Sequence, residues 1–239
     1  MTQGKIRLTT TAAAALLMLG SLQSASAALV TVVDPLGNSD FSVTYDDAQA
    51  GPFGTPFLSN NTIFFVPNDF AAQSANGEGL ETLADSFAMR LDVITDGFSL
   101  DNFDLDEEGD YILNGPGAFV SASGEMRVFD ATNPGTTFID QLETGPLNMQ
   151  SPTFDPVDWF GSASIGAGDG WSGATSAWLT VENILVASTD SHNTLAFIEK
   201  KYAGVAIEVT TVPLPGSIWL FASALLFVAG RRPQLTGTA

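Results

Sequence analysis

The chain contains no cysteine and a single histidine, His192, among its 239 residues. Without cysteine, no disulfide can hold the fold together, although an exported protein is allowed to form them. A zinc cage of the usual cysteine and histidine ligands is excluded for the same reason. A serine triad would need His192, yet no Gly-x-Ser-x-Gly motif occurs, and Ser191–Asn193 is typical of a turn. We therefore predict no enzyme activity and an exposed, inert His192.

Basic side chains are also scarce. All 27 acidic residues fall between Asp34 and Glu208, where the basic residues are only Arg90, Arg127, Lys200 and Lys201. The net charge of this stretch is therefore 4 − 27 = −23. Such a field excludes nucleic acid as a partner, disfavours anionic lipid and attracts divalent cations.

Long apolar runs are confined to the two ends of the chain. At the amino end, Lys5 and Arg7 precede an apolar stretch from Ala12 to Leu19. The small residues Ala25 and Ala27 then form a site for signal peptidase. This pattern predicts a signal peptide over residues 1–27, cleaved after Ala27, and an exported protein.

The carboxyl end carries the second apolar run, the 15 uncharged residues from Gly216 to Gly230. A helix of that length covers about 22 Å, less than the roughly 30 Å of a bilayer core. The four residues 212–215 extend the uncharged stretch to 19. Arg231 and Arg232 follow as a cytoplasmic stop, which predicts a transmembrane helix and a cytoplasmic tail over residues 233–239. A buried core helix is the alternative.

The start of this segment resembles a known sorting signal. Residues 212–216 read Val212, Pro213, Leu214, Pro215 and Gly216. Together with the Trp-Leu-Phe at 219–221 and the arginine pair, they resemble the PEP-CTERM signal in its Val-Pro-Leu-Pro variant. The resemblance covers residues 212–232. The seven residues 233–239 are more than usually follow the arginines of such a signal.

The resemblance implies a Gram-negative bacterium that has an exosortase, a membrane transpeptidase thought to cut near the Pro-x-Pro motif. Proteins with such tails usually accompany exopolysaccharide production and biofilm formation. The chain would then be anchored transiently in the inner, cytoplasmic membrane and afterwards reach the cell surface or the extracellular matrix. The expected partners are signal peptidase, the exosortase-like enzyme and exopolysaccharide.

The middle of the chain, residues 28–211, predicts an all-β ectodomain, a single jelly-roll-like β-sandwich. Short alternating segments separated by Gly, Pro, Asn and Asp favour strands at 29–33, 41–45, 62–66, 86–94, 111–113, 118–129, 137–142 and 176–186. Residues 195–198 and 205–209 predict a closing hairpin that turns near Ala203–Gly204. We also expect a short helix at 79–85 and a bulge between Leu100 and Phe103, where the apolar phase changes.

The most acidic segment is 101–110, in which six of ten residues are Asp or Glu. Calcium prefers hard oxygen ligands at alternate positions, so Asp104, Asp106, Glu108 and Asp110 are its candidate ligands. The segment is not an EF-hand, because Gly115 stands where that loop needs a bidentate Glu. The alternative is a solvated acidic connection between strands. No other cofactor is expected.

Three tryptophans, Trp159, Trp171 and Trp178, lie close together in sequence. Trp171 stands in a glycine-rich segment and is the candidate for stacking on a sugar; packing of all three indoles into the core is the alternative. The resulting hypothesis is an exported, non-catalytic surface or matrix protein. The competing hypothesis is a carbohydrate-binding module or a polysaccharide-acting enzyme that uses paired carboxylates.

Overall fold

The computed structural model describes residues 28–212, which form a β-sandwich of two antiparallel sheets. The strands of this region are β1 (Leu29–Val32), β2 (Phe41–Asp46), β3 (Phe57–Ser59), β4 (Thr62–Phe65), β5 (Ala71–Ala75), β6 (Gly79–Val93), β7 (Phe98–Asn114), β8 (Phe119–Asp130), β9 (Phe138–Gln141), β10 (Glu143–Thr144), β11 (Val157–Ile165), β12 (Ser176–Thr189) and β13 (Leu195–Thr211). The helical segments of residues 28–212 are three single turns of 3-10 helix, and loops and turns make up the rest. Nothing helical in this range has the length and apolar character needed to cross a bilayer.

Each sheet has one continuous strand order. The first sheet runs β1-β2-β6-β12-β8-β9, and the second runs β10-β11-β7-β13-β4-β3. The amino-terminal half of β13 pairs with β5 and its later half with β4, so both short strands share one edge of β13. The central strands β7, β13, β6 and β12 are the long ones, and they carry the core.

The core lies between the sheets and follows from alternation along the strands. On β12, Leu179, Val181, Asn183 and Leu185 are buried, while Thr180, Glu182 and Ile184, which alternate with them, are half-buried. Each fully buried large apolar side chain stabilises the fold by about 1.5–3 kcal/mol. A phenylalanine cluster fills one end of the core; its members are Phe53, Phe65, Phe70 and Phe87, with ring centroids 5.1–6.0 Å apart in the contacting pairs. Packing of this kind accounts for a stable sandwich without disulfides.

Several strand predictions are confirmed. The predicted segments at 29–33, 41–45, 62–66, 118–129, 137–142 and 176–186 all correspond to strands, and no observed end differs from the predicted one by more than three residues. The predicted bulge is also confirmed. Leu100 pairs with Val209 and Asn102 with Glu208, so Asp101 is the extra residue on β7.

The predicted helix at 79–85 is wrong. These residues form the first half of β6, and each of them pairs with β12, from Gly79 opposite Thr189 to Asp85 opposite Asn183. The helical spacing of Leu80, Leu83 and Ala84 is overridden because these residues extend the long antiparallel ladder that β6 forms with β12.

The predicted closing hairpin is wrong as well. Residues 195–211 form one strand, β13, which has a bulge at Lys201. Before the bulge Ala196, Ile198 and Lys200 face the core; after it Ala203 and Val205 do. A bulge inserts one residue and so reverses the inward phase of a strand. Two alternating segments that are out of phase, here 195–200 and 203–207, are also what two strands joined by a turn would show. For this reason the sequence predicted a hairpin.

The sequence left open that the acidic segment 101–110 is a solvated connection between strands. The structure contradicts that alternative. The segment is the middle of β7, paired with β11 on one side and β13 on the other. The predicted signal peptide over 1–27 and the transmembrane helix over 216–230 lie outside the described residues, as does the tail 233–239.

Candidate functional site

The predicted sorting motif begins at Val212, the last residue that the structure describes. Val212 follows the last residue of β13, is 44% exposed, and donates its backbone N–H to the carbonyl oxygen of Gly97 at 2.7 Å. The other residues predicted for export and sorting lie outside the described part of the chain; they are Ala25, Ala27, Pro213, Leu214, Pro215, Gly216, Arg231 and Arg232.

The predicted calcium ligands lie along β7 on the outer face of the second sheet. Asp106 and Glu108 are exposed, and Asp104 accepts hydrogen bonds from Ser164 Oγ at 2.7 Å and Asn102 Nδ2 at 2.6 Å. Asp110 is different, because it forms an ion pair with Lys201. Alternate residues of a strand lie almost 7 Å apart, so the carboxylates form a row rather than a cage. No three acidic or histidine side chains of residues 28–212 are grouped to hold a metal, and calcium stays a prediction.

This row borders a shallow groove of about 460 Å³ on the same face. Its other walls are Glu143, Phe160 and Tyr202. Partial burial, followed by the charges of Asp106 and Glu108, raises the pKa of the Tyr202 hydroxyl. We call the residues Asp104, Asp106, Glu108, Glu143, Phe160 and Tyr202 the acidic face.

The structure places Trp171 in the core. It is 5% exposed, donates its indole N–H to the carbonyl oxygen of Leu100 at 2.8 Å, and packs edge-on against Phe103 and Phe138. Both polar and apolar parts of the ring are thus satisfied internally, so stacking of Trp171 on a sugar is contradicted. Trp159 is buried too and donates to the carbonyl oxygen of Glu199 at 3.0 Å.

Of the three tryptophans in residues 28–212, Trp178 is the accessible one, at 36% exposed. It lies on the outer face of the first sheet, where register places it between Arg90 on β6 and Phe129 on β8. The Trp178 and Phe129 rings are stacked at 20°, with centroids 6.5 Å apart. Thr44 and Thr31 continue the same row across β2 and β1. We call these five residues the aromatic face.

Arg90 is held in place within that row. Asp92, two residues further along β6, accepts from Arg90 Nε at 3.0 Å and from Nη2 at 2.9 Å, and also from Ser176 Oγ at 2.7 Å. A groove of about 480 Å³ opens beside it, lined in part by Leu29, Thr44, Asp46, Arg90, Asp92 and Trp178. A flat aromatic surface flanked by fixed polar groups is an arrangement suited to an amphipathic ring such as a sugar.

Sequence reasoning missed the aromatic face because its members come from five strands. Alternation would have placed Trp178 outward once the inward residues Leu179 and Val181 were assigned, so that signal was available. The neighbours of Trp178 depended on the strand order, which no sequence pattern contained. His192 is exposed in the turn that follows Asp190, as predicted.

No family model matches this chain, and no curated protein is similar to it. Among solved structures, it aligns with a structure of the infectious bursal disease virus Gt strain at 9% identity and a TM-score of 0.23, over 80% of this chain and 60% of that one. It aligns equally with the VP2 subviral particle of that virus, at 10% identity and a TM-score of 0.23, over 80% of this chain and 59% of that one. The chain thus spans about 60% of the length of these neighbours, and the likeness carries no argument about function.

Proposed function

We propose that this protein is an exported, non-catalytic surface or extracellular-matrix protein of a Gram-negative bacterium, sorted by an exosortase-like transpeptidase and associated with exopolysaccharide. The observation that carries the proposal is the sorting motif itself, which starts at the exposed Val212 directly after the last strand. A peptidase needs an accessible, extended substrate, and prolines at 213 and 215 favour that conformation.

The remaining architecture supports this proposal. Successive strands alternate between the sheets, with β6 in the first, β7 in the second, β8 in the first and β11 in the second. Such crossing is typical of a jelly-roll-like sandwich. The ectodomain would lie between a cleaved signal peptide and a transmembrane helix, outside the inner membrane, and its acidic surface would keep it soluble there.

The sorting role is tested by changing both motif prolines together. We expect Pro213→Ala/Pro215→Ala to leave export intact and to block removal of the tail, because the processing enzyme would no longer recognise its motif. Mass spectrometry of the mature carboxyl terminus measures the outcome. Pro233→Ala, a proline of the same tail beyond the arginines, is the matched control and should be processed normally. Unchanged processing of the double variant would refute the sorting role.

A second candidate function is carbohydrate binding on the aromatic face. It is favoured by one observation: the accessible Trp178 is stacked with the half-buried Phe129 beside the guanidinium of Arg90, which Asp92 holds in place. Aromatic side chains contribute large contact areas at low entropic cost, and a sugar ring stacked on them would leave its hydroxyls for Arg90, Asp92 and Thr44. The site would be a binding module and not a catalytic cleft.

Intrinsic fluorescence on a panel of glycans tests this second function. Binding at the aromatic face should quench the emission of Trp178, and Trp178→Ala should abolish both quenching and retention on the glycan. Phe160→Ala removes an exposed aromatic from the acidic face on the opposite sheet and serves as the control. If retention on the glycan survives Trp178→Ala but is lost in Phe160→Ala, the glycan binds at the acidic face and not at the aromatic face. No binding by the wild type to any glycan leaves a structural surface protein as the function.

A further inference from the structure

Three polar side chains meet in the core, between the two sheets. Glu107 comes from β7, Lys200 from β13 and Asn183 from β12 of the opposite sheet; they are 1%, 3% and 1% exposed. Lys200 Nζ donates to Glu107 Oε1 at 2.7 Å, and Asn183 Nδ2 donates to Glu107 Oε2 at 2.7 Å. Lys200 Nζ also donates to Asn183 Oδ1, which closes the ring of contacts. We call these three residues the core triad.

The surroundings of the core triad are apolar. Lys200 Nζ lies 4.7 Å from the centroid of the Phe53 ring and 5.4 Å from that of Phe70. Burial raises the pKa of Glu107 against the opposing effect of Lys200, and burial lowers the pKa of Lys200. Both shifts favour transfer of a proton from the ammonium to the carboxylate. Such a transfer would give a neutral amine, which is a nucleophile, and a carboxylic acid, which is a proton donor.

A purely structural ion pair does not explain this arrangement well. Removing two charges from water is costly, and a well-packed apolar pair often serves stability as well or better. A buried pair needs further hydrogen bonds to satisfy its remaining protons and lone pairs, but hydroxyl or backbone groups would serve equally well. Here the group is a carboxamide, whose oxygen contacts the amine of Lys200 while its nitrogen is held by the carboxylate of Glu107. The amine is a nucleophile, the carboxamide is an electrophile with a leaving group, and the carboxyl touches both of them.

We propose that the core triad forms an intramolecular isopeptide bond between Lys200 Nζ and Asn183 Cγ, with Glu107 as the catalytic proton carrier. Glu107 takes a proton from the Lys200 ammonium, and the neutral Nζ attacks Cγ. The Cγ–Nδ2 bond then breaks as Nδ2 leaves with a proton from Glu107, and Glu107 takes the second proton of Nζ. Starting from ammonium and carboxylate, the products are a secondary amide, one ammonia molecule and a protonated Glu107. No oxidant, reductant or cofactor takes part.

Glycines occupy the register positions beside the reacting groups. Gly124 of β8 is the partner of Asn183, and a Cβ added to it would lie 2.8 Å from Asn183 Nδ2 and 2.1 Å from the carbonyl oxygen of Glu182. Gly109 of β7 is the partner of Lys200, and a Cβ there would lie 2.5 Å from Trp159 Nε1. A larger residue at position 124 would displace the Asn183 carboxamide, which must release ammonia. A larger residue at position 109 would displace the Trp159 indole.

The bond would join the two sheets through their last strands. Asn183 lies on β12 and Lys200 on β13, whose end leads directly to Val212 and the tail. A covalent link between them restricts the unfolded chain as a disulfide does, without cysteine and without dependence on redox conditions. If the tail anchors the protein, a pull applied there reaches β13 first, and the bond would transmit it to the other sheet.

The decisive measurement is the mass of the wild-type full-length chain after purification, followed by digestion. The intact protein should be lighter than its processed sequence by one ammonia. The chain has no basic residue between Arg127 and Lys200, so trypsin should yield a single looped peptide, 128–201, uncut after Lys200. Further cleavage after Glu182 and Glu199 should leave the fragment 183–199 bonded to the dipeptide 200–201. This pairing distinguishes the isopeptide bond from succinimide formation at another asparagine.

Variants separate the roles of the three residues. Glu107→Gln, Asn183→Ala and Lys200→Met should each show the unmodified mass, and Glu107→Gln should also melt at a lower temperature than the wild type. Lys201→Arg, which changes the exposed neighbour of Lys200, is the matched control and should still lose ammonia. A wild-type chain at its full sequence mass, cut by trypsin after Lys200, would overturn the proposal whether or not the variants fold. Cross-linked peptide from Glu107→Gln would overturn the role of Glu107 alone.

Discussion

At the scale of single residues, the core separates two kinds of tryptophan. Trp171 and Trp159 are buried and each donates its N–H to a backbone carbonyl, whereas Trp178 presents a ring face to solvent. The sequence contained the chemistry of all three but not their surroundings. Trp159 and Trp171 therefore stabilise the fold, whereas Trp178 is accessible to a ligand.

Truncation of these indoles should separate them by stability. Trp171→Ala is expected to lower the free energy of unfolding by about 3–5 kcal/mol, because it opens a cavity and leaves the Leu100 carbonyl without its donor. Trp178→Ala, on the outer face, should cost less than about 1.5 kcal/mol. Denaturant unfolding of both variants gives the comparison. Equal losses would contradict the burial of Trp171.

Asp34 carries a pH-dependent contribution to stability. Its carboxylate accepts from the backbone N–H of Asn60 at 3.0 Å and of Leu36 at 2.8 Å, and from Ser39 Oγ at 3.2 Å. These bonds, that from Asn60 first, lower the pKa of Asp34 below its usual 3.8. A lowered folded-state pKa means stabilisation that is present above the unfolded value and lost as pH falls through the folded value.

We therefore expect Asp34→Asn to be less stable than the wild type near neutral pH, and the difference to shrink as the pH falls below 3.8. Urea unfolding at a series of pH values measures this. Asp96→Asn, at another acidic residue of a loop, should show no such trend. A difference between the wild type and Asp34→Asn that is independent of pH would show that shape, and not charge, is what Asp34 contributes.

At the scale of elements, β13 is organised by its bulge. The extra residue Lys201 lets Lys200 face the core on one side of it while Ala203 and Val205 face the core on the other. Without it, one half of the strand would present its outward residues to the core. The bulge is therefore the local feature that allows the core triad to form within an apolar strand.

Deletion of Lys201 should destabilise the protein by at least about 3 kcal/mol, because one half of β13 must reverse its faces. Lys201→Ala keeps the bulge and removes a half-exposed side chain together with its ion pairs to Asp110 and Glu199, so it should cost clearly less than the deletion, about 1–2 kcal/mol. Thermal and denaturant unfolding of the two variants are the measurements. A deletion variant as stable as Lys201→Ala would mean that the register shift has no structural role.

At the scale of the whole molecule, charge is the dominant surface property. The net charge of −23 between Asp34 and Glu208 opposes the compact state through self-repulsion. Counter-ions relieve this repulsion, and a bound divalent cation relieves it locally. Salt and calcium should therefore both stabilise the β-sandwich, by mechanisms that can be told apart.

The melting temperature should rise when sodium chloride is increased from about 0.01 M to about 0.15 M, because the Debye length falls from about 30 Å to about 8 Å. Millimolar calcium should raise it further than sodium chloride of the same ionic strength if the acidic face binds the ion. Asp104→Asn/Asp106→Asn should keep the response to sodium and lose the extra response to calcium. An equal calcium shift in that variant would exclude the acidic face as the site.

The sequence by itself determined the all-β character, most strand positions, the acidic composition and the absence of disulfides, because each depends on composition or on residues close together in the chain. Alternation of Leu179, Val181 and Leu185 is readable without a partner strand. Only the tertiary structure decided which side chains meet. Glu107 and Lys200 lie 93 residues apart and Glu107 and Asn183 lie 76 apart, and they are neighbours only because β7, β12 and β13 come together from two sheets. Strand order and the phase of a bulge arise from packing over long separations, which local periodicity does not encode.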